Sequence, residues 1–172
     1  MKLQGVSAGK VKETNMTNEL FAAQEEVDEQ EIIAETSRKH LTFFSDNLQY
    51  AIDVENVNEI ITNYAITYLP KVPSFIKGIM NLRGQVTPVV DIRLLMGRPE
   101  AEPTSETCVI ILEVKGISIG ILVDGVSRVI DLNDDQISPP PANINQELVC
   151  AIANVDGVIN LLLDCDKLVD GR

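Results

Sequence analysis

From residue 41 onwards the chain is a succession of short apolar runs separated by turn residues. Runs of this length, rich in Val and Ile, predict strands at residues 41–44, 49–54, 57–61, 75–82 and 85–90. Arg83-Gly84 separates the last two runs, and glycine there can take the positive φ of a two-residue hairpin turn. Asp91 has the position of an N-cap for a short helix through Met96, and Gly97 that of its C′ residue. The pattern predicts β-structure with few, short helices.

The second half of the chain repeats this pattern. Residues 50–61 align without a gap with residues 119–130, and residues 75–84 align with residues 148–157. Asp91 falls on Asp164, Gly97 falls almost on Gly171, and Arg83-Gly84 recurs as Asp156-Gly157. Chance matches apolar residues readily, but it does not readily keep turn glycines and capping aspartates in register as well.

The repeat predicts an all-β fold of two tandem, related five-stranded β-barrel subdomains, SH3- or OB-like, packed side by side. Closing such short strands into barrels protects their edges. The subdomains are expected at about residues 41–97 and 107–170, with a linker at residues 98–106. An exchange of strands between them is left open.

Residues 1–38 differ from the rest, because acidic residues crowd the stretch 19–35 and its apolar residues keep no clean period. We interpret them as a solvated tail preceding the domain at residues 39–172. A frayed acidic helix and a partner-binding arm remain alternatives. Met16 is an alternative start of the chain.

Charge narrows the class of partner. The chain has 172 residues with 14 Lys and Arg against 26 Asp and Glu, a formal net charge of −12. Nucleic acids and anionic membranes bind cationic surfaces, so neither is expected as a partner. No apolar run has the roughly 20 residues of a transmembrane helix. A cytoplasmic protein that binds other proteins is the default expectation.

Catalytic and metal-binding patterns are weak. Cys108, Cys150 and Cys165 lie in apolar runs without metal-ligand spacing, so buried, reduced thiols are expected. His40 is the only histidine and is expected at the surface. Asp124 is interpreted as a turn residue. No cofactor motif is present, so neither a metal nor a cofactor is expected. A cryptic hydrolase that uses Asp91, Asp124 or Asp164 is the alternative.

Residues 73–93, PSFIKGIMNLRGQVTPVVDIR, resemble the signature of the CheW family of chemotaxis coupling proteins. Residues 50–61 and 120–129 also agree with the family pattern, so the resemblance covers residues 40–170. The departures are Cys150-Ala151, where the family often has a glycine, Cys165, and Asp46-Asn47 in the first hairpin. They concern details of packing.

The resemblance implies two five-stranded barrels and a non-catalytic adaptor. Such a protein couples transmembrane chemoreceptors, through their cytoplasmic tips, to the regulatory domain of the histidine kinase CheA in signalling arrays at the inner face of the membrane. Val57, Glu59, Gly78 and Arg83 fall on family positions linked to this coupling. The alternative for Glu59 and Arg83 is an ordinary exposed salt bridge, for Val57 a core residue, and for Gly78 a close backbone approach.

The repeat adds a hypothesis about charge. Glu59 aligns with Arg128 and Arg83 with Asp156, so the two halves carry the same pair with reversed sign. Complementary ends of this kind would allow domains of this fold to associate head to tail in closed rings. The alternative is that the pairs drifted independently.

A binder of nucleic acid or oligosaccharide is the remaining alternative. It would need exposed aromatic residues on a strand face. The candidates all lie in the first half of the chain: Phe43, Phe44, Tyr50, Tyr64, Tyr68 and Phe75.

Overall fold

The computed structural model describes residues 37–142, 144 and 147–170, so the predicted acidic tail up to residue 36, Met16 and Gly171 lie outside the described residues. The described residues are mostly β-structure with two short helices. The strands are β1 (Arg38–Ser45), β2 (Leu48–Asp53), β3 (Val57–Ile61), β4 (Ile76–Leu82), β5 (Gln85–Asp91), β6 (Cys108–Val114), β7 (Ile117–Val123), β8 (Gly125–Leu132), β9 (Ile137–Ser138), β10 (Val149–Val155) and β11 (Val158–Leu163), and the helices are α1 (Ile92–Leu95) and α2 (Cys165–Val169).

The strands form two sheets. One has six strands in the order β8-β1-β2-β11-β10-β9, and the other has five in the order β3-β6-β7-β5-β4. Two sheets of this size confirm the all-β prediction, but among the described residues the outermost strands of a sheet do not pair with each other, so the predicted closure into barrels is not observed. The sixth strand, β9, also exceeds the predicted five. Its counterpart in the other sheet is a single bridge between Thr67 and Ile79.

Each sheet combines strands from both halves of the chain. The β1–β2 hairpin lies with β8, β10 and β11, and the β6–β7 hairpin lies with β3, β4 and β5. Parallel pairing joins the contributions: Ala51 in β2 faces Leu162 in β11, and the equivalent Gly120 in β7 faces Val89 in β5. The sheets therefore combine strands from both of the consecutive subdomains predicted from the sequence, which is the exchange of strands that the sequence left open. The repeat itself is preserved down to the register of this pairing.

Two-residue turns with positive φ at both positions close the hairpins, as the right-handed twist of the strands requires. Arg83 and Gly84 have φ of 51° and 87°, and Asp156 and Gly157 have φ of 53° and 81°. Both predicted turns are thus confirmed. Two further turns have the same geometry, at Asp46-Asn47 and at Lys115-Gly116.

The largest apolar cluster draws on both sheets. The first sheet contributes residues such as Phe43 and Tyr50, whose rings stack with centroids 5.5 Å apart. The second contributes residues such as Ile110, Leu112 and Ile121, all fully buried. Complete burial of one such side chain is worth about 1.5–3 kcal/mol. This core fixes the two sheets against each other, and it therefore positions the surface turns.

Both helices begin at the aspartates that the sequence indicated. The Asp91 carboxylate accepts hydrogen bonds from the backbone N–H groups of Arg93 and Leu94. The Asp164 carboxylate accepts the equivalent bonds from Asp166 and Lys167. The two N-cap predictions are confirmed.

Candidate protein-binding surface

Glu59 and Arg83 form an ion pair. Glu59 lies in β3 and Arg83 in the β4–β5 turn, and Arg83 Nη2 is 3.2 Å from Glu59 Oε2. The Arg83 side chain is 78% exposed and that of Glu59 is 25% exposed. The second carboxylate oxygen of Glu59, Oε1, is buried and has no hydrogen-bond partner among the described residues. The pair therefore presents a cation at the surface, above a carboxylate that retains an unused acceptor.

The second half carries the same pair with the charges exchanged. Arg128 lies in β8 and Asp156 in the β10–β11 turn, and Arg128 Nη2 is 3.5 Å from Asp156 Oδ2. Both side chains are exposed. The reversal that the alignment indicated is therefore a pair of matching contacts, one on each sheet.

Exposed apolar side chains accompany both pairs. Ile60 follows Glu59 in β3, and Val129 follows Arg128 in β8, at equivalent positions of the repeat. Val86 and Ile159, also equivalent, are exposed close to the two turns that carry Arg83 and Asp156. Both charged pairs thus have exposed apolar side chains at equivalent positions of the two halves.

Local structure explains why glycine occupies position 78 and valine position 57. Gly78 has a φ of 144°, and a Cβ atom there would lie 2.1 Å from the backbone oxygen of Thr67. The approach is close because the amide and carbonyl of Thr67 pair with those of Ile79. Val57 is half-buried and packs against the main core. A direct role of these two residues in binding stays a prediction.

A charged network at the β1–β2 turn was missed by the sequence analysis. Arg93, which follows β5, donates from Nη1 to Asp46 Oδ1 at 2.9 Å and pairs through Nη2 with Asp124. Asp124 Oδ2 also accepts from the backbone N–H of Asp46 at 2.8 Å, and Arg98 lies 3.6 Å from Asp46. Asp124 is therefore more than a turn residue, because its carboxylate ties the β1–β2 turn of one sheet to the other sheet.

The repeat could have indicated this network. The residues equivalent to Asp46 and Arg93 are Lys115 and Asp166, again with reversed sign, and Lys115 Nζ lies 3.0 Å from Asp166 Oδ2. A search of the alignment for charge reversals, rather than for shared turns, would have found both pairs.

The groups considered for catalysis have structural partners. Asp91 and Asp164 are N-caps, and Asp124 is held by Arg93. Burial raises the pKa of the Asp91 carboxyl. His40 was expected at the surface but is buried, with Nδ1 3.1 Å from the carbonyl oxygen of Arg38. No group of three or more His, Cys, Asp or Glu side chains that could hold a metal ion occurs within residues 37–142, 144 and 147–170.

The cysteines differ from one another. Cys108 and Cys165 are buried as expected, and burial raises the pKa of the Cys165 thiol to about 12. Cys150 is exposed, so its predicted burial is wrong. It lies in a bulge of β10 where the pairing with β11 slips by one residue, which turns its side chain away from the core.

Within the described residues, the aromatic side chains do not form the platform that a nucleic-acid or oligosaccharide binder needs. Phe43 and Tyr50 are fully buried and stack on each other. Phe44 and Tyr68 are exposed, but Phe44 is the penultimate residue of β1 and Tyr68 lies in the loop before β4. In the part of the chain that the structure describes, no helix is long and apolar enough to cross a membrane.

The fold has a solved counterpart. The crystal structure of the scaffolding protein TtCheW from Thermoanaerobacter tengcongensis matches this chain with a TM-score of 0.70 and 32% sequence identity, over 74% of this chain and 88% of that one. The fold is thus that of an all-β scaffolding protein. The family model of the CheW-like domain matches residues 39–172, and the chain belongs to this family.

Individual relatives agree with this assignment. The chain is 34% identical to a chemotaxis protein CheW of Bacillus subtilis over 129 residues, which are 75% of this chain and 83% of that protein. It is 33% identical to a chemotaxis protein CheW of Klebsiella aerogenes over 138 residues, 78% and 83% of the two chains. A more distant match, 29% identical over 108 residues, is the protein FrzA of Myxococcus xanthus.

Proposed function

We propose that this protein is a non-catalytic chemotaxis adaptor that couples transmembrane chemoreceptors to a CheA-type histidine kinase. Membership of the CheW-like family and relatives that are chemotaxis and scaffolding proteins support this function. The observation that carries it is the surface ion pair between Glu59 and Arg83, whose Arg83 side chain is 78% exposed. Asp91, Asp124 and Asp164, the aspartates considered for catalysis, each have a structural partner. These structural roles agree with a protein that supplies geometry instead of chemistry.

The coupling is proposed to act through conformational selection. An adaptor that contacts receptor and kinase together favours the kinase conformation that fits its surface, and the receptor state changes that fit. Val57, Glu59, Gly78 and Arg83 form the proposed coupling region. Arg83 makes the direct contact because it is the most exposed of the charged groups there, whereas Gly78 and Val57 maintain the backbone and core beneath it.

The reversed pairs give the proposed direction of assembly. In a head-to-tail contact between domains of this fold, Glu59 would face an arginine equivalent to Arg128, and Arg83 would face an aspartate equivalent to Asp156. Contacts of this heterologous type close into rings when the rotation between neighbours permits. Charge complementarity would select the partner and its orientation. The expected location is the cytoplasm, at receptor arrays on the inner face of the membrane.

Calorimetric titration of the full chain with the regulatory domain of the CheA-type kinase from the same cell tests the proposal. Saturable binding is expected, and Arg83→Glu should weaken it at least tenfold because the variant places two carboxylates side by side at the contact. Lys39→Glu is the matched control, since Lys39 is also an exposed cation paired across strands, with Asp131 at 3.1 Å. Binding that both variants reduce equally would remove Arg83 from the interface.

Single charge reversals test the head-to-tail arrangement separately. Glu59→Arg and Arg83→Glu should each weaken kinase association, and the double variant Glu59→Arg with Arg83→Glu restores the internal pair but not its polarity. We expect the double variant to remain weak. Kinase association that neither single reversal changes would contradict the arrangement, and no binding of kinase by the unaltered protein would contradict the adaptor function itself.

A further inference from the structure

The pairing between β1 and β8 is interrupted at Arg128. Thr42 of β1 stands opposite two residues of β8, Ser127 and Arg128, and the regular pairing resumes on either side of them. One extra residue in a strand is a β-bulge, and a bulge changes the direction in which nearby side chains point. Arg128, the strand member of the second ion pair, therefore lies outside the regular ladder.

The side chain of Thr42 binds the backbone of Arg128 at this place. Its Oγ1 donates to the backbone carbonyl of Arg128 at 2.7 Å and accepts from the backbone N–H of Arg128 at 3.1 Å. One hydroxyl can make both bonds because it has one donor and two acceptor lone pairs. Thr42 is itself fully buried, so it holds the main chain of Arg128 from the covered side of the strand.

The equivalent position in the other sheet has no such contact. Thr42 aligns with Ile111 in β6, and Arg128 aligns with Glu59 in β3. There Glu59 and Ile111 are direct partners in the ladder, and the extra residue of the bulge is Asn58 alone. Ile111 is fully buried as Thr42 is, but its side chain has no hydrogen-bonding group. The contact through a hydroxyl is thus specific to the second ion pair.

The difference in pairing goes with a difference in exposure. The side chain of Arg128 is 56% exposed, whereas that of Glu59 is 25% exposed. The displaced backbone brings a guanidinium further into solvent than the equivalent carboxylate of the other half. Arg128 is therefore the more accessible of the two charged residues that the strands contribute.

We propose that Thr42 is a positioning residue of the head-to-tail contact, which holds Arg128 outside the ladder so that its guanidinium meets an acidic group of the neighbouring domain. This inference rests on the proposed adaptor function. Asp156 lies 3.5 Å from one nitrogen of the guanidinium, and a guanidinium has five N–H donors, so others stay available for a second carboxylate. Bonds of this kind between ionised groups are among the stronger hydrogen bonds in proteins.

A role in stability alone explains Thr42 less well. At a fully buried strand position an isoleucine, as at Ile111, removes more apolar surface from water than a threonine does. A regular ladder pair would also satisfy the backbone groups of Arg128. The first sheet lacks both the larger apolar side chain and the regular pair at the one position that faces Arg128.

The crystal structure of the full-length Thr42→Val variant tests the first step. Valine lacks the hydroxyl, so we expect Arg128 to return to the ladder opposite residue 42, as Glu59 pairs with Ile111. The exposed fraction of the Arg128 side chain should fall from 56% towards the 25% of Glu59. Thr42→Ser retains the hydroxyl and should leave Arg128 in place, and Thr42→Ala repeats the test without a branched side chain. An Arg128 that stays outside the ladder in both Thr42→Val and Thr42→Ala would overturn the proposal.

Calorimetric titration with the regulatory domain of the CheA-type kinase tests the second step. All variants are made in the Arg83→Glu background, so that the binding which remains occurs at the end that carries Arg128. Thr42→Val should weaken this binding about tenfold, since a hydrogen bond to a charged group contributes that much. Thr42→Ser should leave it unchanged. Ile111→Val is the matched control, because it shortens the fully buried side chain at the equivalent position, and it should have no effect.

Combination with Arg128→Gln shows whether Thr42 acts through Arg128. Arg128→Gln should weaken the remaining binding, and adding Thr42→Val to it should cause no further loss, because residues that act through one contact are not additive. A further loss would mean that Thr42 affects binding by another route, and equal losses in Thr42→Val and Ile111→Val would indicate a general effect of core substitutions. Either result would overturn the proposal.

Failure of the adaptor function itself would look different. An unaltered protein that does not bind the kinase contradicts the adaptor function, whereas kinase binding that persists in Arg83→Glu and is insensitive to Arg128→Gln contradicts only the presentation of Arg128. The crystal structure of Thr42→Val is obtained without a partner, so it decides in either case whether Thr42 displaces Arg128.

Discussion

The two halves of the chain share their backbone but not their charges. β4 and β5 pair in the same register as β10 and β11, and both hairpins have a bulge at the equivalent place, near Gly78 in one and near Ala151 in the other. The exposed pair of Glu59 and Arg83, in contrast, has reversed sign in the second half. Register is held by hydrogen bonds and by a buried face, whereas an exposed ion pair is worth only about 0–1 kcal/mol. Charges at the surface can therefore reverse while the fold stays unchanged.

The bulges should show the largest difference between the halves. Gly78→Ala should lower the free energy of unfolding by about 3 kcal/mol or more, because the new Cβ would overlap the Thr67 carbonyl and the residue has a φ that L side chains rarely adopt. Urea denaturation measures the change. The reciprocal variant Ala151→Gly is the control and should cost about 0.5–1 kcal/mol, the usual effect of glycine inside a strand. Equal losses in the two variants would mean that the bulges are interchangeable.

The network at the β1–β2 turn should show the next largest difference. Arg93→Ala should destabilise by about 2 kcal/mol, because Arg93 is 15% exposed and its removal leaves Asp46 and Asp124 without their main cation. Lys115→Ala, at the position equivalent to Asp46, should cost less than about 1 kcal/mol since its pairs are exposed. Thermal and urea unfolding measure the loss of stability in both variants. A larger loss for Lys115→Ala than for Arg93→Ala would contradict the prediction that the Arg93 network contributes more to stability.

Asp91 should give a pH dependence. Burial raises its pKa in the folded protein, so the folded state holds the proton more tightly than the unfolded state does. The stability linked to the neutral carboxyl is present below the ordinary Asp pKa and is lost as pH rises through the raised one. Asp91→Asn retains an N-cap acceptor and removes this titration. Its stability relative to the unaltered protein should therefore increase, by about 1 kcal/mol or less, as pH rises from 3.5 to 7 in urea denaturation.

A constant difference between Asp91→Asn and the unaltered protein over this range would contradict the prediction. Asp91→Ala provides the second measurement, because it also removes the cap and should cost about 1 kcal/mol more than Asp91→Asn at every pH.

The ion pairs themselves should contribute least to stability. Arg83→Gln and Arg128→Gln should each change the free energy of unfolding by less than about 1 kcal/mol, because both guanidinium groups are largely exposed. The two variants would then separate binding from folding, since any loss of kinase association occurs in a protein of normal stability. A loss of several kcal/mol in either would mean that the pair holds the turn to the sheet.

Much of the local structure followed from the sequence. Strand positions, the turns at Arg83-Gly84 and Asp156-Gly157, and the caps at Asp91 and Asp164 depend on the residue itself and its nearest neighbours along the chain. The repeat extended these predictions to the second half, and the ion pair of Arg128 with Asp156 was reached through it. β1 begins at Arg38, earlier than the apolar pattern indicated, because pairing with β8 extends the strand through polar residues.

The sequence failed where distant segments meet. The exposure of Cys150 depends on a bulge, and the burial of His40 depends on the neighbouring strand, so neither is written in the local apolar pattern. Asp124 looked like a turn residue because its partners, Asp46 and Arg93, are far away along the chain.

By itself the sequence determined the all-β class, the duplication, the main turns and the family resemblance, because each of these is stored in local spacing and in residue types that repeat. Only the tertiary structure decided which strands share a sheet and which charged residues touch. The β1–β2 hairpin lies in the sheet of the second half, and the β6–β7 hairpin lies in the sheet of the first half. Their alternation of apolar and polar residues would be satisfied equally well if each hairpin lay in the sheet of its own half. The choice between them depends on the packing of the whole core, which no local pattern specifies.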